Sequence, residues 1–344
     1  MSADAAVPGE GARAGRLTER VLRIRELGIV AALALLIAVT AILEPRFIEA
    51  DSLRNLALNA SILAILAVGQ TLVIITRNVD LSTGSVLGLS AFLAGDLLSE
   101  HPGLALPVVF LLGIALGAAC GLLNGILVTW GRVPALVVTL GTLYAFRGLA
   151  FLWTDGRQVN AETLPDSFLN IGSESIAGVP ILVLIAVVIV VVVGQWLRDY
   201  RPGRELYAIG SNPEGARLAG VRSGRLVLVA FVLAGALSGL GGVLFTARFG
   251  TVDATAGVGY ELTVIAAAVV GGVAIFGGIG TVYGAALGAL LLGTITSSLI
   301  VLRIEAFWQQ AAIGALLLIA IALDRLLAVR VEARLRRRSA RRAS

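Results

Sequence analysis

Apolar runs long enough to cross a lipid bilayer succeed one another along most of this 344-residue chain. A spanning helix needs roughly 17–25 predominantly apolar residues. About ten runs approach or meet that length: 27–43, 58–76, 84–99, 104–130, 134–152, 179–197, 226–247, 262–279, 283–302 and 307–323. Hydrocarbon offers the backbone no hydrogen-bond partners, so only helices and closed barrels cross it, and unbroken runs of this kind read as helices. The expectation is an all-α, polytopic integral membrane protein. Its 58% hydrophobic and 14% charged residues lie far from a soluble domain. The Gly-rich joints at 77–84 and 277–282 are candidates for broken or re-entrant backbone.

Charge sets the orientation. Every one of the 27 basic residues is arginine. With an even number of spans, one side collects five arginines before residue 27, Arg77, Arg132, the six of the polar loop 198–225, and eight from Arg325 to Arg342. That side holds twenty-one, the other holds five (Arg46, Arg54, Arg157, Arg248 and Arg303), and Arg147 falls within a span. Positive charge accumulates on the cytoplasmic side, so both termini are expected there. The organisation that follows is a cytoplasmic tail at 1–26, a transmembrane domain at 27–325 and a basic cytoplasmic tail at 326–344. The first run lacks the flanks of a cleaved signal peptide. The tail's arginines suit anionic lipid, and no nucleic-acid partner is expected.

Several chemistries are excluded. Without lysine the chain can build neither a Walker A nucleotide site nor a Schiff base. One cysteine, Cys120, permits no internal disulfide. One histidine, His101, leaves no His-rich metal site, and no cofactor is expected. A membrane enzyme would need clustered Asp, Glu or His. A stand-alone secondary transporter would need buried carboxylates for ion coupling, and the spans offer little beyond Asp96.

Within the polar loop, Asn212-Pro213-Glu214-Gly215-Ala216-Arg217 reads as a short helix. Asn212 suits the cap, Pro213 the first turn, Glu214 the positive end of the helix dipole, and Gly220 the stop. A lone helix on a cytoplasmic face suggests a partner that receives it, although a plain solvated helix has the same signals. The turn Arg77-Asn78-Val79-Asp80-Leu81-Ser82-Thr83-Gly84 has two readings. Asp80 and Ser82 capping the next helix, with Gly84 relieving crowding, is one; a broken helix beside a pathway is the other. Asn59, Gln70, Asn124, Thr139 and Arg147 lie at span depth, where polar groups tend to face the interior. Gln70, Asn78, Asp80, Asn124, Thr139 and Arg147 are the candidate pathway residues, with interhelical packing or, for Arg147, snorkelling to the surface as the alternatives. The long outer segment from Trp153 to Gly178 carries four acids against one arginine and reads as a solvated loop or a docking surface.

Three stretches taken together, Leu66–Leu89, Asn124–Gly148 and Tyr207 to about Gly284, resemble the membrane permeases of ribose-type monosaccharide importers, a branch of the bacterial ABC transporters. The TRNVDLS and VLRIEAFW segments look most like autoinducer-2 permeases, with rhamnose permeases close behind. The resemblance implies a permease of the bacterial inner membrane carrying a monosaccharide or sugar-like solute. It also implies a paired second permease (a copy or a homologue), an ABC ATPase subunit that hydrolyses ATP, and an extracytoplasmic sugar-binding protein. Under it, residues 212–217 are the helix that couples to the ATPase. Permeases of the same architecture for nucleosides or branched-chain amino acids are the alternative.

Overall fold

The computed structural model describes the backbone of residues 10–305, the side chains of residues 27–305, and scattered positions between 307 and 322. The C-terminal tail and the side chains before residue 27 lie outside the described residues, as does part of the expected tenth span. Among the described residues up to 305, twelve α-helices succeed one another: α1 (Glu10–Leu43), α2 (Ala50–Ile74), α3 (Thr83–Glu100), α4 (Leu106–Thr129), α5 (Ala135–Thr154), α6 (Asp166–Ser173), α7 (Ile181–Asp199), α8 (Arg201–Ser211), α9 (Pro213–Leu218), α10 (Ser223–Phe249), α11 (Tyr260–Val270) and α12 (Val282–Val301). A two-residue antiparallel hairpin, Ser175–Ile176 with Val179–Pro180, precedes α7.

Six of these, α2, α4, α5, α7, α10 and α12, are long and apolar enough to cross a membrane. Residues 27–43 of α1 and all of α11 are shorter apolar helices. Helix α2 occupies the centre, and every residue from 61 to 76 is buried, as befits a helix apolar on all faces. Helices α4, α5 and α7 leave most of their apolar surface outward, the disposition expected of a protein in lipid.

Glycine makes the tightest crossing possible. Gly113, Gly117, Gly121 and Gly125 recur every fourth residue on α4 and form a stripe along it. They face Phe231, Gly235 and Gly239 of α10 so closely that a Cβ at Gly117 would strike the Gly235 carbonyl, and one at Gly235 would strike that of Gly117. Small residues at this spacing let two backbones touch, which is how helices associate where lipid provides no hydrophobic drive.

Two expectations need correction. The eighth run, 262–279, is not one helix: α11 ends at Val270, and residues 271–281 form a turn. Gly272, Gly277, Gly278 and Gly280 all have positive φ there, which an α-helix cannot include. The glycines at 277–282 mark the joint as a candidate break, but the turn begins earlier, inside the apolar run. The outer segment 153–178 is also no simple loop. Its α6 buries Phe168 completely and sets Gly172 against the backbone of Ala247 and Arg248 on α10. Its acids Asp155, Glu162, Asp166 and Glu174 stay exposed.

The two ends of the bundle differ. One gathers α8, α9, Arg77, Arg132 and the turn 271–281. The other gathers α6, the hairpin and the pair Arg157–Asp96 (3.3 Å), beside which the Trp153 indole N–H donates to Asp96 (3.2 Å).

Candidate functional site

At the arginine-rich end, the polar loop folds into two helices rather than one. Asn212 ends α8 and begins α9, and its side-chain oxygen accepts the Gly215 N–H at 2.9 Å. The cap amide lies directly over Gly215, 2.9–3.0 Å from where a Cβ would sit, so glycine here makes room for the cap. Glu214 pairs with Arg217 one turn on (2.6 Å). Gly220 closes the helix with φ +78°. Leu218 is 79% exposed on this six-residue helix, while Ala216 is buried against its base.

Two non-helical joints meet behind α8 and α9. The first, residues 75–82, links α2 to α3, and the second is the turn 271–281. Gly278 donates its N–H to the Ile75 carbonyl (2.9 Å), which ties joint to joint. Arg77 (φ +66°) turns back under α8, where Nε donates to the Gly210 carbonyl and Nη2 to that of Ser211 (2.9 Å). Gly210 packs so closely on Ile75 and Gly278 that any side chain there would collide with them. The Tyr207 hydroxyl on α8 donates to the Gly280 carbonyl at 2.9 Å. Burial pushes the Tyr207 phenol up to about 12. Its pKa is thus raised above the ordinary value of about 10, so the stability it adds is complete below pH ~10 and is lost as pH rises toward 12. Tyr207→Phe should cost about 0.5–1.5 kcal/mol, read as a lower melting temperature in detergent, and the gap to wild type should close above that pH.

The first joint is held from inside the bundle by the polar residues singled out above. Asp80 is 2% exposed, and its Oδ1 accepts both the Ser82 N–H (2.8 Å) and the Ser82 hydroxyl (2.6 Å), an Asx turn leading into α3. Asn124 of α4, 0% exposed, donates to the Ser82 hydroxyl (2.8 Å). With its amide oriented to satisfy both partners, Gln70 of α2 bridges the N–H and carbonyl of Asp80 (both 3.2 Å). Thr139 of α5 donates to the Val79 carbonyl (3.1 Å), and Asn78 folds back on Thr76. Five of the six candidate pathway residues thus bear on one joint. Gly84 is crowded, as the sequence suggested, but by Gly257 and Glu261 rather than by its own helix. Asn59 faces outward instead.

Arg147, the sixth, does something sequence reasoning missed. It neither snorkels nor joins the cluster, and Nη1 donates to the carbonyls of Ala254 (2.8 Å) and Ala256 (2.6 Å). These belong to the segment 250–259 between α10 and α11, much of it turns. Val252 of that segment pairs with Val159 at the end that holds α6. Further along, Ala256 lies against Gly88 and Gly257 against Gly84, whereas Val159 lies against Gly95. From Gly95 to Gly84 is about 16 Å along α3 at 1.5 Å per residue. The segment therefore dips from the end that holds α6 deep into the bundle. Helix α11 starts there and carries the chain to the second joint.

Fold and site together place the chain among helical membrane permeases. It belongs to the family described as branched-chain amino acid transport system / permease component, which it matches over residues 52–321. Among curated relatives it is 38% identical to the autoinducer 2 import system permease protein LsrC of Escherichia coli (strain K12 / DH10B) over 91% of this chain and 90% of that one. It is 37% identical to LsrC of Salmonella choleraesuis (91% and 89% covered) and 36% identical to that of Photorhabdus luminescens (87% and 89%). No solved structure matches the chain.

Proposed function

We propose that this chain is the membrane permease of an ATP-driven importer for autoinducer 2 or a closely sugar-like solute. It would cross the inner membrane ten times between 27 and 325, with the tails 1–26 and 326–344 and the loop 198–225 in the cytoplasm. The observation that carries this reading is the bonding of α8, which runs directly into α9 at Asn212, to both joints. An exposed, capped helix backed by two bent segments of the pathway is built to transmit a push. ATP hydrolysis belongs to a partner, since this chain has no lysine for the nucleotide phosphates. In this reading α9, with Asn212, Pro213, Glu214, Gly215, Ala216 and Arg217, docks on the ABC ATPase. The exposed acids of 153–178 meet the extracytoplasmic binding protein, and a second permease copy or homologue completes the pore. Gln70, Asn78, Asp80, Asn124 and Thr139 hold the first joint beside the pathway rather than touching solute, and alanine at Gln70 or Asn124 should slow maximal uptake several-fold. Similarity to the autoinducer 2 permeases over about nine-tenths of both chains supports the solute class over branched-chain amino acids.

The orientation is tested by cysteine labelling in a Cys120→Ala background. Ser173→Cys and Ser211→Cys, both at exposed positions, should react with an impermeant thiol reagent from opposite faces of the membrane. Reaction from the same face would reject the ten-span arrangement.

A further inference from the structure

We propose that the dipping segment 250–260 frames the solute subsite of the importer, and that its lining selects an uncharged, polyhydroxylated solute over an amino acid. The assignment rests on the importer reading above and adds the place and the selectivity. A pocket of about 310 Å³ opens against this segment, lined by Phe245, Thr251, Asp253, Thr255 and Tyr260 among others. That is the low end of the roughly 300–1,000 Å³ range of small-molecule sites, suited to a solute of monosaccharide size.

Its wall is a fixed surface although it is not helical. Every carbonyl from Val252 to Gly257 is bonded: to the N–H groups of Val159, Ala256, Val258 and Tyr260, and, at Ala254 and Ala256, to Arg147. Irregular backbone inside a membrane protein persists where it is satisfied by protein or lines a cavity, and this segment does both. With these carbonyls spent, acceptors for a ligand come from the side chains. Phe245 and Tyr260 meet edge to face at 6.1 Å, with Phe245 also held against Phe249 (4.5 Å), so the aromatic surface they present to the pocket can stack on the C–H face of a sugar ring. Asp253 Oδ1 is committed to the Thr255 N–H (2.8 Å) and hydroxyl (2.6 Å), which sets the carboxylate beside the pocket. The hydroxyls of Thr251 and Tyr260 make no hydrogen bond among the described residues. Among the described residues lining the pocket Asp253 alone is charged, and Arg147 behind the wall has Nη1 committed to the Ala254 and Ala256 carbonyls. The carboxylate of an amino acid would meet the Asp253 carboxylate here, whereas sugar hydroxyls donate to Asp253 and accept from Thr251 and Tyr260.

The test uses the complete importer, with its ATPase and binding protein, the wild-type permease serving for uptake and a permease carrying Thr251→Cys and Cys120→Ala for labelling. Uptake of autoinducer 2, D-ribose and L-leucine is measured first, and then the rate at which a small neutral thiol reagent modifies position 251 with each solute at millimolar concentration. A solute at twice its dissociation constant leaves about one third of sites free, so an imported sugar-like solute should slow modification roughly threefold, and leucine should not. Ser173→Cys should be unaffected by any of them. Asp253→Asn should lower maximal uptake roughly tenfold by weakening a charged hydrogen bond. Import of leucine in place of the other two would overturn the solute class. Import of autoinducer 2 or ribose with no protection at position 251, or with full activity in Asp253→Asn, would overturn the subsite alone.

Discussion

Gly117→Leu will leave almost no folded permease in the membrane. The Gly117 backbone touches that of Gly235, and even a methyl group would overlap the Gly235 carbonyl and press to 2.8 Å of Gly239. Four carbons there force α4 and α10 apart along the whole stripe from Gly113 to Gly125. Overpacking in a well-filled core costs about 1–3 kcal/mol and sometimes more. Here backbone is the obstacle, which cannot swing aside as a side chain can. A protein stable by about 5–15 kcal/mol that loses its central crossing loses most of its margin. Gly141→Leu on α5 is the matched control, because no atom lies within 4 Å of a Cβ at that site. Expression followed by size-exclusion chromatography in detergent reads both. A monodisperse, normally yielding Gly117→Leu protein would show that the close crossing is dispensable.

Glu214→Arg with Gly215→Arg will abolish uptake while leaving the chain inserted. Two effects add. A side chain at 215 drives the Asn212 amide off its seat, and loss of an N-cap costs about 0.5–2 kcal/mol. A six-residue helix has no reserve against that, since helices this short are not stable on their own. Reversal at 214 then removes the 2.6 Å pair with Arg217 and puts two cations side by side on an exposed face. Helix α9 is short and largely exposed, outside the long apolar helices, so insertion should be normal. Uptake at background, with the ATPase no longer co-purifying, is the expected result. Normal transport together with normal ATPase association would remove α9 from the coupling role.

How legible this was depended on the range of the physics involved. Hydropathy is a local sum, and the runs at 104–130, 134–152 and 283–302 correspond to α4, α5 and α12 within about two residues at each end. Capping is equally local. Asn212, Pro213 and Gly220 carry their roles in their own chemistry and spacing, so α9 could be read directly. Helix α8 was missed because its polar face resembles a loop until Leu206 and Ile209 are seen buried beneath it. The glycines at 277–282 marked a candidate break, but its start at Val270 was not legible, because glycine in an apolar run serves helix packing and tight turns equally well.

By itself the sequence determined that the chain is a helical membrane protein with an arginine-rich end and a capped helix exposed there, since each property follows from neighbours within one or two turns. Tertiary structure alone decided what those parts do to one another. Arg147 reaches carbonyls more than 100 positions away, and Arg77 reaches α8 across 133. Hydrogen-bond geometry at such separations depends on how a dozen helices pack, and no local pattern encodes it. The same packing turned Gln70, Asp80 and Asn124 from separate polar residues in apolar runs into one brace, because a buried polar group must find its partner wherever the fold places it.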